Sequence, residues 1–241
     1  MEFVLTEEQV AFADSLDRLL AGADTPAINR ALAAGDRQSA DLLRKRLDDQ
    51  GVGDPDLGPV EVAAVHEVLG RHAAPLPVDH VDHSDLSVLA NAAYLLGAGE
   101  RLLADSVAYA LQRTQFGRAI GSYQVIKHRL ADVRIALDFA RPLVFGAACE
   151  TSELSVSAAK VGAYDAAYLA SRTALQVHGA IGYTLECDVS IWMQRVLELK
   201  TVAGSPQWHR DRILASLLAR RDGGNEPPKS GVRRSEMSGS S

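Results

Sequence analysis

Aromatic side chains are scarce in this chain of 241 residues, at 5%. With Ala and Leu abundant, that shortage argues against sheets rich in aromatic and β-branched residues and favours helices packed closely through small ones. Cysteine is nearly absent. Cys149 and Cys187 stand far apart and in no metal-ligand spacing, so they are expected as thiols of a reducing compartment. Positive charge is in deficit as well: 25 Lys and Arg against 31 Asp and Glu leave a net charge of -6. No global basic surface is available to gather nucleic acid or anionic lipid. Nor does any uninterrupted apolar run reach membrane-spanning length. Met1-Glu2-Phe3-Val4-Leu5-Thr6-Glu7-Glu8 is acidic and lacks the basic stretch and apolar core of a secretory signal, so a cytoplasmic location is expected.

What is present is helical periodicity. At 47% hydrophobic and 23% charged, the chain can bury a sizeable core in one or two domains. Thr6-Glu7-Glu8-Gln9 has the form of a capping box, followed by Phe12, Leu16, Leu19 and Leu20 at helical spacing. A weaker helix reaches about Ala34, and a short charged one spans about residues 41–50, ended by Gly51. Pro59 opens a helix whose apolar face is Val62, Val65, Val68 and Leu69, ending near Gly70. Residues 73–84 contain Pro75 and Pro77 and read as an extended connector. Within it, His80-Val81-Asp82-His83 lacks a third or fourth ligand nearby and is expected to be solvated linker, with no metal.

Longer helices follow. One runs from Asp85 to about Arg113, carried by Leu86, Leu89, Ala93, Leu96, Leu103, Val107 and Leu111. The next spans about residues 122–150 with a bend expected at Pro142, and a third, about 155–178, is Ala-rich and lined by Tyr164, Tyr168 and Leu175. Two more cover about 186–201 and 206–220. The chain is therefore expected to be all-α: a reduced N-terminal helical part (1–72), the connector (73–84), a C-terminal antiparallel bundle of four to five helices (85–221) and a disordered tail (222–241).

Two helix ends hold the residue types that chemistry would need. Arg113-Thr114-Gln115-Phe116-Gly117 combines a guanidinium, an amide, an aromatic ring and a flexible Gly, a set suited to a phosphate-bearing cofactor. The same residues also read as plain helix punctuation, with Arg113 in the last turn and Gly117 as the stop. At Gln176-Val177-His178-Gly179-Ala180-Ile181-Gly182-Tyr183, two Gly allow close backbone approach beside the donors of Gln176 and His178. A helix cap followed by a tight turn is again the plainer alternative.

Taken with Gln124, Ala131-Asp132, Thr184-x-Glu186 and Gly204 before an Arg-rich last helix, these segments resemble the C-terminal helical domain of the acyl-CoA dehydrogenases over about residues 85–218. Phe3-x-Leu5-Thr6-Glu7-Glu8-Gln9 is similar to that family's first helix, and Glu67-x-Leu69-Gly70-Arg71 to its later N-terminal helix. The resemblance implies FAD-linked oxidation of acyl-CoA thioesters, in which a carboxylate takes the α proton while a hydride leaves the β carbon for the flavin. Two departures set this chain apart. The β domain that cradles the flavin ring in the family is replaced by the connector alone, and Val202-Ala203-Gly204-Ser205 puts Ala203 where the usual glutamate base stands. Some members take the base from the early part of the long helix, where Asp85 is the one carboxylate beside Leu86-Ser87-Val88.

What the resemblance leaves in place serves a neighbour. In the family, the residues matching Arg113, Gln115, Phe116, Gln124, Gln176 and Gly179 reach across a dimer interface to the pyrophosphate and adenosine of another subunit's FAD, and Ala180 replaces a second Gly. Gly204-Ser205-Pro206-Gln207-Trp208-His209-Arg210 is similar to the short, base-lacking subunits that pair with a full-length acyl-CoA dehydrogenase in some bacterial, notably actinobacterial, heteromeric enzymes. His209, at a helix start beside Arg210, is expected at the surface or an interface and is assigned no catalysis. The implied role is a non-catalytic subunit sharing FAD with a full-length catalytic partner. Two alternatives stay open: a flavin-independent enzyme, such as a cyclase or dehydratase, on the same helices, or a structural homodimer.

Overall fold

Thr6 closes a reciprocal capping box at the start of α1 (Glu7–Ala21): its hydroxyl accepts from the Gln9 amide, and the Gln9 side chain accepts from the Thr6 N–H at 2.9 Å. The computed structural model describes residues 5–75, 84–184 and 187–223, so the His80–His83 segment, most of the connector and the tail beyond Gly223 lie outside the described residues. α2 (Thr25–Ala33), α3 (Gln38–Asp48) and α4 (Pro59–Arg71) complete the N-terminal part. Three long helices follow, α5 (Asp85–Gln112), α6 (Gln124–Cys149) and α7 (Glu153–His178), then α8 (Val189–Glu198) and α9 (Pro206–Gly223). Apart from a hairpin of two-residue strands, the regular structure of the described residues is helical.

α5, α6 and α7 run up, down and up. Gly99 packs against Ala167, Asn91 meets Lys160 and Tyr109 meets His178, so α5 and α7 are parallel, with α6 antiparallel to both through Glu100–Arg134 and Leu143–Gly162. The facing surfaces are small: Ala92, Ala93, Ala98, Ala159, Ala163, Ala167, Ala170 and Ala174 are all buried. That composition is why so few aromatics suffice for a dense core. α6 continues through Pro142, which can donate nothing to the carbonyl one turn earlier.

α4 lies against α5 closer than ordinary side chains permit. A Cβ on Gly70 would overlap the Tyr94 carbonyl, and one on Gly97 would overlap the Glu67 carbonyl. Gly70 is thus an interior contact of α4 and not its stop. Around this seam, Trp192 of α8 is 1% exposed and donates its indole N–H to the carbonyls of Gly70 and Arg71, both at 3.1 Å. Glu67, also buried, accepts from Arg141 at 2.6 Å and Arg71 at 3.2 Å. The N-terminal helices are therefore fastened to the bundle by backbone proximity and by charge.

Some expected faces turn outward. Tyr168, Leu86, Val107 and Leu111 are exposed, so the core faces of α5 and α7 are set by Ala and Leu positions and not by those residues. α5 ends at Gln112, one residue earlier than the apolar pattern suggests, because Arg113 takes an extended conformation.

Candidate functional site

The hairpin between α5 and α6 starts at Arg113, whose N–H donates to Tyr109 O at 2.9 Å and whose carbonyl accepts from Ile120 N at 2.8 Å. β1 (Thr114–Gln115) pairs antiparallel with β2 (Arg118–Ala119). Phe116 (φ 52°) and Gly117 (φ 78°) form the two-residue turn, both left-handed, as a type I′ hairpin requires. Gly117 is therefore a hairpin tip and not a helix stop. Phe116 is 92% exposed although a non-Gly residue there costs about 1–2 kcal/mol. Tyr123 steadies the loop: its hydroxyl donates to Gln115 O at 3.2 Å, and the Arg118 guanidinium sits 4.0 Å from its ring centroid. Gln124 is the first residue of α6 and is exposed.

At the end of α7, Gly179 (φ 65°, ψ -141°) turns the chain into a single 3-10 turn through Tyr183. Space beside Gly179 is open, with nothing within 4 Å of where a Cβ would stand. Gln176, Gly179 and Ala180 line a surface cleft of about 540 Å³ together with Leu175, expected only as a helix-lining residue, and Arg172, which the sequence had not singled out. The signal for Arg172 was its place one helical turn before Gln176. His178 turns inward instead: its Nδ1–H donates to Ala174 O at 2.8 Å and its ring packs on Tyr109. Since Tyr109 roots the hairpin and His178 precedes Gly179, the two predicted segments share one end of the bundle.

Two segments at that end are free of acids. Residues 106–131 hold Arg113, Arg118, Lys127 and Arg129 without one Asp or Glu, and residues 166–184 hold Arg172, again without one. Elsewhere Arg101, Arg134, Arg141, Arg195, Arg210 and Arg212 each pair with a carboxylate. In a chain of net charge -6, this is a local positive pole.

Ala203 belongs elsewhere. It is 3% exposed, at φ 56°, in the turn between α8 and α9. Its carbonyl accepts from His209 Nε2 at 2.9 Å, which leaves Nδ1 to accept from the Ser157 hydroxyl at 3.1 Å. His209 is fully buried within the chain, contrary to the surface or interface position expected for a His at a helix start. Trp208 closes over the adjoining Gly204, where a Cβ would stand 2.7 Å from the indole. Lys160, marked by no motif, is also fully buried and donates to Asn91, to Leu199 O at 2.8 Å and to Val202 O at 3.0 Å. Burial pushes its amine down to about 7. Asp85 is tied to Arg212 at 3.0 Å.

Helix geometry gives the spacing. Ser157 and Lys160 hold the Ala203 turn, and 19 and 16 residues separate them from Gln176 on the same helix, roughly 28 and 24 Å at 1.5 Å per residue. The Ala203 turn and the Gln176 cleft therefore occupy opposite ends of the bundle. Among the described residues no set of three or more His, Cys, Asp and Glu is placed to hold a metal ion, and no helix is long and apolar enough to cross a membrane.

Residues 86–218 match the family model for the acyl-CoA dehydrogenase C-terminal domain. Acyl-CoA dehydrogenase IpdE2 of Mycolicibacterium smegmatis is 34% identical over 135 residues, 56% of this chain and 43% of that protein. The chain thus spans less than half the length of that curated relative. Among solved structures, butyryl-CoA dehydrogenase from Megasphaera elsdenii superposes with a TM-score of 0.54 at 32% identity, covering 56% of this chain and 36% of that one. A chain of the ChsE4-ChsE5 complex from Mycobacterium tuberculosis superposes with a TM-score of 0.80 over 94% of this chain and 100% of that one. At 18% identity that last likeness is one of fold, and it extends through the N-terminal helices as well as the bundle.

Proposed function

The chain belongs to the acyl-CoA dehydrogenase family, and from that membership we propose that it is a non-catalytic subunit completing the FAD site of a full-length catalytic partner. One observation carries this reading. The residues suited to a dinucleotide stand exposed at one end of the bundle, while the base position, Ala203, is sealed at the other, roughly 24–28 Å away along α7. A chain so arranged lends one end to a neighbour's cofactor and builds no acid–base centre of its own.

The residues present fit FAD. Among the described residues, the side chains of Arg113 and Gln176 make no internal hydrogen bond, no carboxylate lies within residues 106–131 or 166–184, and the space beside Gly179 is open. Arg113 would hold the diphosphate through its planar fork, and Gln124, at the start of α6, adds a donor where the helix dipole favours an anion. Gln176 and the backbone at Gly179 and Ala180 would hold the dinucleotide from the end of α7, with Phe116 as an apolar cover. When bound, FAD supplies the hydride acceptor. The base and the ring pocket come from the partner.

Co-expression with a full-length acyl-CoA dehydrogenase encoded beside it should give a yellow complex holding fewer flavins than chains. A chain that stays colourless and separate from such partners, or that alone binds FAD and oxidises acyl-CoA, overturns the assignment.

A further inference from the structure

Arg172 stands in the same cleft as Gln176 and has no role in the fold. It is exposed, one helical turn before Gln176, and no carboxylate of the described residues pairs with it. Three arginines on the flanks of the bundle are neutralised: Arg210 by Asp165, and Arg134 and Arg141 by Glu100 and Glu67. An unpaired guanidinium beside an open Gly179, on a stretch without acids, is placed for a phosphate. We infer that Arg172 is a second diphosphate-binding residue, acting from the Gln176 cleft while Arg113 acts from the hairpin.

The inference rests on the reading that this end receives a partner's FAD. Arg113 and Arg172 stand on separate segments at one end of the bundle, so a diphosphate held by both would be gripped from two directions, and neither segment alone fixes its orientation. Both FAD and the coenzyme A of the substrate carry a diphosphate; the inference commits to FAD, because Gln176 and Gly179 line the same cleft.

The test uses the co-expressed complex. FAD is removed, titrated back and followed by quenching of its fluorescence, with acyl-CoA affinity measured separately. Arg172→Gln should weaken FAD binding about tenfold, the usual scale for one charge-assisted hydrogen bond. Arg172→Lys should recover part of that loss, since it keeps the charge and loses the fork. Size-exclusion chromatography and helical circular dichroism should match those of the parent complex. If Arg172→Gln binds FAD within twofold of the parent while Arg113→Ala does not, the inference fails and the shared-site reading stands. If neither substitution changes FAD binding, the reading itself fails. A change in acyl-CoA affinity alone assigns Arg172 to coenzyme A and overturns the inference, and so does dissociation of the subunits.

Discussion

The rings of Tyr109 and His178 lie 4.3 Å apart with their planes inclined by 30°, joining the last turns of α5 and α7. Through this contact the root of the Arg113 hairpin and the start of the Gly179 turn are positioned by one packing event, and the spacing of the two halves of the candidate site is set there. Tyr109→Ala should lower stability by about 1–3 kcal/mol, as expected when an aromatic pair is lost along with part of its buried area. Urea unfolding checks this. Unchanged stability would mean that the ring contact holds nothing in place.

The seam between α4 and α5 admits no side chain at two points. Gly97→Ala should destabilise by about 3 kcal/mol or more, because the new methyl meets the Glu67 backbone, which cannot move aside as a side-chain tip would. Gly117→Ala is the control, with open space and φ 78°, and should cost only about 1 kcal/mol. Equal losses in thermal unfolding would refute the interlock.

Lys160 makes stability depend on pH on the alkaline side. Burial holds its amine near 7 in the folded chain, against an ordinary value of 10.5. Between those values the unfolded chain binds the extra proton, so folding should grow more favourable as pH rises from about 7 to about 10.5. Below about 7 both states are protonated, and the cost of burying the charge is fully present. Urea midpoints at pH 7 and pH 9 should therefore rise, and Lys160→Met should remove most of that rise while lowering stability at both. Parallel profiles for the two proteins would exclude Lys160 as the source.

Restoring a carboxylate at the base position should not restore chemistry. Ala203→Glu places an acid where the residue is 3% exposed and its carbonyl is already engaged by His209, so a loss of roughly 2 kcal/mol or more is expected, with no acyl-CoA oxidation gained. Ala203→Gly suits φ 56° and should stay within about 1 kcal/mol of the parent. Turnover by the isolated Ala203→Glu chain would show that the turn is an intact active site lacking only its base.

The helices were legible because their signals are local: a capping box at Thr6 and Gln9, Pro59 at a first turn, and apolar residues every three or four positions. The hairpin was not. Its strands are two residues long, too short for alternation to show, and Arg and Gly there also suit a helix end. Gly70 is ambiguous for a similar reason, since a Gly late in a helix serves equally as a stop or as a point of close approach, and only Tyr94, 24 positions on, decides it. His209 and Lys160 were hidden by distance in the chain: the partners that permit their burial, Ser157 and Asn91, lie 52 and 69 residues away. For the candidate site, the residues named from the family motif fall at one end of the bundle, whereas the one signal for Arg172 was its place a helical turn before Gln176, too common a spacing to select it without the shape of the cleft.

Two acid-free segments, 106–131 and 166–184, on a chain of net charge -6 make the molecule electrically polar. An approaching anionic surface is turned toward Arg113, Arg118, Lys127, Arg129 and Arg172 before any contact forms, while the rest of the chain repels it. Encounter is thus oriented before it is tight. Raising ionic strength should slow capture of an acidic partner far more than it hastens escape, so the signature of this end lies in the kinetics of arrival.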